Sequence, residues 1–237
     1  YVPTIPEQKK ITDFLSAVDK RIQLLTRKKE LLEEYKKGVM QKIFSREIRF
    51  NDENGNEFSD WKERKLGEIS DVKGGKRIPK GYGLQEENNG LPYITVSDMV
   101  DGSIREENIQ FVPKEIADQI KNYKITTDDI YVSVAGTLGL VGTIPKSLNN
   151  ANLTENANKI TNFNCHQQYL FYFLSSSAFK KLISTVKTSN AQPKLAIYAL
   201  KSFKVLLPCD NEQTMISDFL DSIAVKIQAT QSQISLT

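Results

Sequence analysis

Apolar residues recur in alternating steps of four and three along the first 45 residues of the chain, with polar residues between them. This heptad spacing predicts one long helix, from Glu7 to Phe44, whose apolar stripe packs against another helix in a coiled coil. Such a helix would span roughly 57 Å. It needs a partner for its stripe, although packing on the chain's own globular part could cover some of its length. Two lysines, Lys29 and Lys36, interrupt the stripe. The predicted seam residues are Ile11, Leu15, Val18, Ile22, Leu25, Leu32 and Val39.

The beginning of this pattern occurs again near the other end of the chain. Residues 7–23 (EQKKITDFLSAVDKRIQ) and 212–228 (EQTMISDFLDSIAVKIQ) are identical at eight of seventeen positions. Arrays of small repeats have periods of about 20 to 50 residues, so an offset of 205 residues indicates a whole domain between two copies of a helical connector. The second copy continues the stripe at Ile216, Leu220, Ile223 and Ile227. The predicted boundaries are 1–47 for the first helix, 48–208 for the domain and 209–237 for a second, truncated helix.

The residues between the two copies have a pattern that is typical of mixed α and β structure. Short apolar runs predict strands at 92–99, 130–136, 140–145 and 202–208. Helices are predicted at 114–121, 166–183 and 194–200. The predicted class is therefore α+β, with a mixed α/β domain flanked by long helices that form a coiled coil.

Glycines mark two predicted turns in this domain. Asn54-Gly55 provides the residues that a tight hairpin turn requires, between the two arms of residues 48–61. Gly136, Gly139 and Gly142 lie three residues apart between two predicted strands. That spacing predicts a bend or bulge where two backbones approach closely.

Several classes of protein are disfavoured by composition. The longest apolar run, residues 169–174, has six residues, whereas a membrane-spanning helix needs about 20. Cys165 and Cys209 lack a CxxC spacing, which favours a reduced, cytoplasmic setting with both thiols in the core. The single histidine, His166, cannot build a metal site with Cys165 alone, so no metal site is predicted.

Catalytic motifs are also missing from the sequence. Residues 74–77 (GGKR) lack the upstream glycine and the Ser or Thr of a phosphate-binding loop. Asp128, Asp129 and Glu155 could be imagined as Mg²⁺ ligands of a nuclease, but paired acids before a strand are more often ordinary surface turns. The sequence predicts a protein that binds a ligand without reacting with it, and no catalytic residue.

The charges of the chain are unevenly distributed. Residues 156–209 contain no Asp or Glu, whereas residues 84–130 contain ten acids and four bases. We call residues 156–209 the acid-free segment. It suggests a face that lies against a polyanion, and a solvated lysine-rich surface is the alternative. Its seven lysines are Lys159, Lys180, Lys181, Lys187, Lys194, Lys201 and Lys204.

Two polar loops have side chains that suit DNA. Residues 73–80 hold three lysines and one arginine next to glycines and without an acid, and they could reach phosphates or guanine edges. Residues 188–194 (TSNAQPK) combine Asn and Gln, which pair with adenine, and Lys, which reaches guanine. A plain connection before a short helix is the alternative for the second loop. A further polar cluster at residues 152–159 has the same two interpretations.

Taken together, these motifs resemble the specificity subunits of type I restriction–modification systems. The resemblance rests on PTIPEQKKITDFL, LLEEYKKGVMQKIFSREIRF, WKERKLGEI, LPYITVSDM, DDIYVSVAGTLGLVG and TSNAQPKLAIYALKSFKVLLP, in this order along nearly the whole chain. The helix motifs are specific, and the inner motifs are weak when taken singly. Such subunits carry two target-recognition domains, each of which recognises half of a split DNA sequence, and two conserved helices that form a spacer. This chain holds one such domain.

The resemblance implies a non-catalytic, DNA-recognising subunit whose partners are double-stranded DNA, methyltransferase subunits and a restriction/translocase subunit. S-adenosylmethionine, ATP and Mg²⁺ are expected on the partner subunits only. A natural half-length subunit would form a homodimer through the long helices, whereas part of a longer subunit would recognise its own half-site. The predicted DNA contacts are Lys73, Lys76, Arg77, Lys80, Thr137, Asn156, Lys159, Lys187, Asn190, Gln192 and Lys194.

Two other functions fit some of the same observations. In a protein–protein interaction module the coiled coil would be the functional part, and the middle domain would be a spacer. A stand-alone methyltransferase or nuclease is disfavoured by the missing cofactor motifs.

Overall fold

The computed structural model describes residues 2–188 and 194–237, and the side chains of residues 186–188 lie outside that description. It confirms the predicted α+β class. The chain divides into two compact units, which we call unit 1 (Tyr1–Arg49 with Met215–Thr237) and unit 2 (Phe50–Thr214). The structure divides the chain after Arg49 and after Thr214. The sequence predicted divisions after residues 47 and 208.

Unit 1 begins with helix α1, which runs over Ile5–Phe44 and confirms the long helix predicted from the heptads. A capping box starts the helix, because the backbone N–H and the hydroxyl of Thr4 each donate to the Glu7 carboxylate at 2.7 Å. Both hydrogen bonds lower the pKa of Glu7, and the bond from the hydroxyl has the larger effect. After the helix the chain turns sharply at Arg46, whose φ is 63°.

Helix α7 covers Asp210–Ser235, and its part in unit 1 lies antiparallel to α1. The Lys29 ammonium donates to the Gln231 side-chain oxygen at 2.8 Å. Seven residues further along α1, partial burial lowers the pKa of Lys36, and the nearby Asp221 carboxylate works to raise it. Each lysine that interrupts the apolar stripe therefore lies near a polar residue of α7, which favours this register of the helix pair.

Exposure changes along the predicted seam. On α1, Ile11 and Leu15 are 50% and 54% exposed, whereas on α7 Ile216 and Leu220 are both 0% exposed. In the part of the chain that the structure describes, the N-terminal end of the stripe is therefore uncovered. Five seam residues of α1 are half-buried, namely Val18, Ile22, Leu25, Leu32 and Val39. On α7, Ile223 is buried and Ile227 is half-buried.

Unit 2 contains short strands and short helices. Its strands are β1 (Lys62–Lys65), β2 (Asp71–Gly74), β3 (Pro92–Ile94), β4 (Met99–Val100), β5 (Ser103–Ile104), β6 (Gln110–Phe111), β7 (Lys124–Ile125), β8 (Ile130–Ser133), β9 (Val141–Thr143), β10 (Ala151–Leu153), β11 (Ala157–Thr161) and β12 (Lys204–Leu207). Its helices are α2 (Leu66–Ile69), α3 (Ala117–Ile120), α4 (Gln167–Leu174), α5 (Ser177–Thr188) and α6 (Ile197–Lys201), followed by the first turn of α7.

Two four-stranded sheets form the body of unit 2. One has the order β6-β3-β10-β7 and the other has the order β2-β11-β8-β9. Strands β3 and β10 are parallel, and the other neighbours in both sheets are antiparallel. A core cluster joins the sheets, since Ile94 and Leu153 of the first pack in it with Tyr131 and Ala157 of the second. Strand β1 pairs with β12 and so brings the two ends of the unit together.

The bend predicted at the glycine triad is confirmed, and the close approach at Gly142 is to a side chain. A side-chain carbon at Gly142 on β9 would collide with the ring of Tyr131 on the neighbouring β8. Gly136 and Gly139 turn the chain between these two strands with φ of 73° and 81°, in the left-handed region that glycine adopts without strain. The turn therefore requires Gly136 and Gly139, and the Tyr131 ring requires Gly142.

Some predicted elements are wrong in extent. The single helix expected over 166–183 is two helices, because Ser175 and Ser176 end α4 with tight backbone hydrogen bonds and the Ser175 hydroxyl binds the Phe171 carbonyl at 2.9 Å. The strand expected over 92–99 stops at Ile94, because the Asp98 carboxylate accepts the Thr95 N–H at 2.7 Å and forms a turn.

The predicted hairpin over 48–61 is reduced to one antiparallel bridge between Asn51 and Glu57. Gly55 occupies the turn with φ of 82°, as expected for an Asn-Gly turn. The Asp52 carboxylate accepts the backbone N–H groups of Asn54 and Asn56 at 2.9 and 2.8 Å, which satisfies the loop locally and takes the place of a longer ladder.

Candidate nucleic-acid interface

Four segments of unit 2 meet through backbone hydrogen bonds next to the ends of strands β2, β8 and β10. The Lys76 N–H donates to the Leu153 carbonyl at 2.8 Å, and the Val134 N–H donates to the Asn156 carbonyl at 2.7 Å. The Leu195 N–H donates in turn to the Val134 carbonyl at 2.9 Å. These contacts bring together residues 74–80, 134–140, 154–156 and 194–196, which we call the loop edge.

Gly75 allows the first segment to lie directly on strand β10. A side-chain carbon at this position would collide with the backbone carbonyl oxygens of Leu153 and Thr154. Backbone atoms in a paired strand cannot move aside as a flexible side chain can. The glycine therefore sets the position of residues 76 and 77.

Replacing Gly75 with alanine is expected to displace this segment and to destabilise the protein by about 1–3 kcal/mol, because overpacking against backbone is costly. Thermal denaturation followed by circular dichroism would measure the loss. Gly83→Ala is the matched control, since no atom lies within 4 Å of the added carbon, and its effect is expected to stay within about 0.5 kcal/mol. Equal melting temperatures for the two variants would contradict the role given to Gly75.

Glu155 binds the Arg77 side chain, and two further hydrogen bonds support this pair indirectly. Its Nε donates to the Glu155 carboxylate at 2.5 Å, and the other oxygen of that carboxylate accepts the Thr154 hydroxyl at 3.1 Å. The Tyr93 hydroxyl donates to the Lys76 carbonyl at 2.9 Å and fixes the backbone just before Arg77. The Arg77 side chain is nevertheless 78% exposed, against 25% for Glu155. The guanidinium is thus oriented by the protein and open to solvent.

The Glu155 carboxylate remains charged at neutral pH. Partial burial works to raise its pKa, but hydrogen bonds from Arg77, from its own backbone N–H and from Thr154 outweigh that effect and lower the pKa. A carboxylate with a lowered pKa keeps its interactions at pH above the ordinary value and loses them as the pH falls through the lowered one. The ion pair with Arg77 is therefore intact at neutral pH.

Lys73 and Lys76 precede Arg77 in the chain, and both are exposed. The Lys73 ammonium lies 3.5 Å from the Asp71 carboxylate, and both side chains are more than half exposed. The Lys76 ammonium lies 5.6 Å from the centre of the Tyr123 ring. An exposed ion pair and an exposed cation–π contact are each weak, on the order of 1 kcal/mol or less, so both cations can exchange these contacts for an anionic ligand.

Lys80 and Lys194 are further exposed cations, and both lie in the loop edge. The side chains of three predicted DNA contacts lie outside the described part of the chain. Asn190 and Gln192 lie outside the described residues, and of Lys187 only the helical backbone is described.

Two lysines of the acid-free segment are paired with acids from elsewhere in unit 2. The Lys159 ammonium lies 3.1 Å from the Asp129 carboxylate, with the two side chains 19% and 2% exposed. The Lys204 ammonium lies 2.8 Å from the Glu63 carboxylate, and this contact raises the pKa of Lys204. Lys159 is therefore held mainly inside the domain, and its predicted phosphate contact stays a prediction.

Thr137 and Asn156 lie in the loop edge. Thr137 is exposed between Gly136 and Gly139, and its carbonyl accepts the Ser133 hydroxyl at 2.5 Å. Asn156 is half-buried, and its carbonyl accepts two backbone N–H groups of the 134–140 segment. The Asn156 backbone therefore joins two segments of the loop edge, and the Thr137 backbone closes the turn within its own segment.

The acids that could have formed a metal site are separated by their partners. Asp129 binds Lys159, and Glu155 binds Arg77. Within residues 2–188 and 194–237, no three His, Cys, Asp or Glu side chains are grouped as metal ligands. Burial, with a smaller effect of Asp210, raises the pKa of the Cys165 thiol to about 11, so this thiol stays protonated at neutral pH.

Sequence reasoning missed the residues that support Arg77. Glu155 was considered only as a possible metal ligand, and neither Tyr93 nor Thr154 was assigned a role at Arg77. Gly75 was noted only as part of an incomplete phosphate-binding loop. The available signal was the sequence Gly74-Gly75 directly before a basic pair, because consecutive glycines indicate a close approach to another backbone.

A family model described as "Type I restriction modification DNA specificity domain" matches residues 58–236. The MjaVIII specificity subunit of a Methanocaldococcus jannaschii type I restriction enzyme is 26% identical over 94% of this chain and 54% of its own length. The EcoBI specificity subunit of Escherichia coli is 24% identical over 74% of this chain and 37% of its own length. The chain thus spans about half the length of the curated relatives it matches, or less.

Solved structures show the same fold. The S subunit of a type I restriction–modification system from M. genitalium has a TM-score of 0.64 and 18% identity, over 98% of this chain and 57% of that chain. The HsdS subunit from Thermoanaerobacter tengcongensis has a TM-score of 0.59 and 18% identity, over 98% and 54%. No helix in the described ranges is long and apolar enough to cross a membrane.

Proposed function

Because the chain belongs to the family of type I restriction–modification DNA specificity domains, we propose that unit 2 recognises one half of a split DNA sequence for a methyltransferase complex. The partners in this proposal are double-stranded DNA, the methyltransferase subunits and a restriction/translocase subunit. The chain itself is non-catalytic, and S-adenosylmethionine, ATP and Mg²⁺ belong to the partner subunits. Its place is the cytoplasm, where the host DNA lies.

The observation that carries this proposal is the loop edge. Four segments that are distant in the sequence meet there. Three of them present exposed polar or cationic groups, and the fourth, 154–156, adds the half-buried Glu155 and Asn156. Cations attract the phosphate backbone without regard to sequence, and fixed hydrogen-bonding groups distinguish the bases. A face that combines both kinds of group has the chemistry that sequence-specific DNA binding needs.

The proposal is tested by producing the chain in bacterial cells together with the methyltransferase subunit of its own system and mapping the methylated bases of the host DNA. We expect one short, defined half-sequence at every methylated site, repeated as a split palindrome if two copies of this chain act together. Random methylation, or none from a soluble complex, would contradict the proposal.

A protein–protein role for the helices is part of the same proposal, and it is supported by the two copies of the repeat. In the second copy, Gln213 donates to the Pro208 carbonyl at 2.9 Å. In the first copy, Gln8 donates to the Pro3 carbonyl at 2.9 Å. The two helix starts therefore have the same local geometry as well as the same sequence.

The environments of the two copies differ. In the second copy, Glu212 is buried and accepts the Trp61 indole N–H at 2.9 Å. In the first copy, the equivalent Glu7 is exposed, and its hydrogen bonds to described residues are those of its own capping box. Ile11, Phe14 and Leu15 are 50%, 68% and 54% exposed. We propose that a second copy of the chain covers this apolar end of α1 in a homodimer.

Replacing both Ile11 and Leu15 with glutamate is expected to convert the dimer to a monomer, because two charges would be buried at its interface. Light scattering coupled to size exclusion at micromolar concentration would measure the mass. Thr12→Glu/Ser16→Glu is the matched control, since it adds the same charge at neighbouring exposed positions. A monomeric unmodified chain, or a double variant that still forms dimers, would contradict the homodimer.

A further inference from the structure

Arg77 and Glu155 form an ion pair whose geometry suits base recognition. Only the Nε of the guanidinium faces the carboxylate. An arginine side chain has five N–H donors in a rigid fork, of which four belong to the two terminal Nη groups. The side chain is 78% exposed, so these four donors are available to a ligand.

The surroundings of Arg77 restrict its motion. Residues 75 and 76 are fixed by N–H donations to the Ala157 and Leu153 carbonyls at 3.1 and 2.8 Å. Glu155 is itself fixed by the Thr154 hydroxyl, and Thr154 is 4% exposed. A side chain that is already oriented loses little conformational freedom on binding, which favours a specific geometric contact.

The carboxylate also determines which DNA group is favoured. The guanidinium and Glu155 together carry no net charge, and a phosphate that approached Arg77 would meet the negative charge of Glu155 at the same site. The guanine edge in the major groove is uncharged and offers two acceptors, O6 and N7, which match the two Nη groups. The pair therefore favours guanine over phosphate, unlike the exposed lysines around it.

We infer that Arg77 recognises a guanine within the half-sequence, and that Glu155 is a positioning residue that aims the guanidinium at it. The inference rests on the proposed function and adds the identity of one base and of the side chain that distinguishes it. It requires that this position of the half-sequence be a guanine on one strand.

The first test is Arg77→Lys in the full chain, with its methyltransferase subunit, on a random-sequence DNA library. Lysine keeps the charge and lacks the planar fork. We expect the preference for guanine at one position to fall roughly 5- to 150-fold, while the salt dependence of binding is unchanged. Lys80→Met is the control, expected to weaken binding to all sequences equally and to reduce the slope of log K against log salt by about 1.

The second test separates positioning by Glu155 from a purely structural role. Glu155→Gln keeps an oxygen acceptor for the Arg77 Nε and is expected to retain the guanine preference. Glu155→Met removes the acceptor and is expected to lose that preference, with a melting temperature close to that of Glu155→Gln. Equal base preferences in these two variants would overturn the positioning role.

The outcomes also separate the inference from the proposed function. An Arg77→Lys protein that keeps the complete motif overturns the inference and leaves the function intact. An Arg77→Lys protein whose affinity falls equally for all sequences shows a phosphate contact and also overturns it. If the unmodified complex selects no sequence from the library, the proposed function fails, and the inference fails with it.

Discussion

Replacing Trp61 with alanine is expected to destabilise unit 2 by about 5 kcal/mol, the largest effect of any single substitution considered for this chain. Trp61 is 7% exposed, and its ring packs edge-to-face on Tyr169 with the ring centres 6.2 Å apart. Removing such a ring costs about 3–5 kcal/mol through lost burial and the cavity that remains. The buried Glu212 carboxylate would also lose its indole donor, which adds about 1–3 kcal/mol.

A loss of this size approaches the whole stability of many domains, so Trp61→Ala is expected to be largely unfolded or insoluble. Trp61→Phe is the variant that allows a quantitative test, because it retains an aromatic ring and removes the N–H donor. We expect it to lower the free energy of unfolding by about 1–3 kcal/mol, measured by urea denaturation with circular dichroism. A Trp61→Ala protein within about 1 kcal/mol of the unmodified chain would contradict the role of this contact.

The same contact shows why the two copies of the repeat could not be distinguished from the sequence. Glu7 and Glu212 follow the same pattern and begin similar helices. One caps its own helix in solvent, and the other is buried beneath Trp61, 151 residues away in the sequence. The local sequence determines the helix and its start, but tertiary packing determines what covers its surface.

Helix α1 was predictable because its signal is long and periodic. The heptad steps continue over some 40 residues and need no knowledge of the rest of the fold. The break between α4 and α5 was missed because it has no glycine or proline. Ser175 and Ser176 end the helix through hydrogen bonds to the preceding turn, and serine is only a weak signal of such a break.

The sequence predicted which loops supply the polar and cationic side chains of the candidate site. It did not predict which of those cations form ion pairs with acids. Residues 73–80 and 134–140 have the glycines and polar side chains of exposed loops, and the structure brings both into the loop edge. The pairing of Lys159 with Asp129 joins residues 30 apart, and that of Arg77 with Glu155 joins residues 78 apart. Counting charges along the chain cannot show which cations are neutralised by acids on neighbouring strands.

Replacing Lys73, Lys76, Lys80 and Lys194 together with glutamine is expected to abolish most DNA binding at physiological salt. Each lysine that contacts a phosphate contributes about 0.9 to the slope of log K against log salt, so the slope should fall by about 3 to 4. A fourfold rise in salt would then weaken binding by the unmodified protein roughly a hundredfold more than binding by the variant. Fluorescence anisotropy with labelled duplex DNA at several salt concentrations would measure both slopes.

Matched charge removal distinguishes a DNA-binding face from a general loss of positive charge. The control replaces Lys9, Lys10, Lys20 and Lys28 of α1 with glutamine, which removes an equal number of positive charges from exposed positions. We expect this control to change the slope of log K against log salt by less than about 1. Similar losses in the two variants would mean that DNA senses only the net charge of the chain. In that case the loop edge would have no special role in attracting the duplex. A large loss confined to the α1 variant would instead locate the phosphate contacts on the helix.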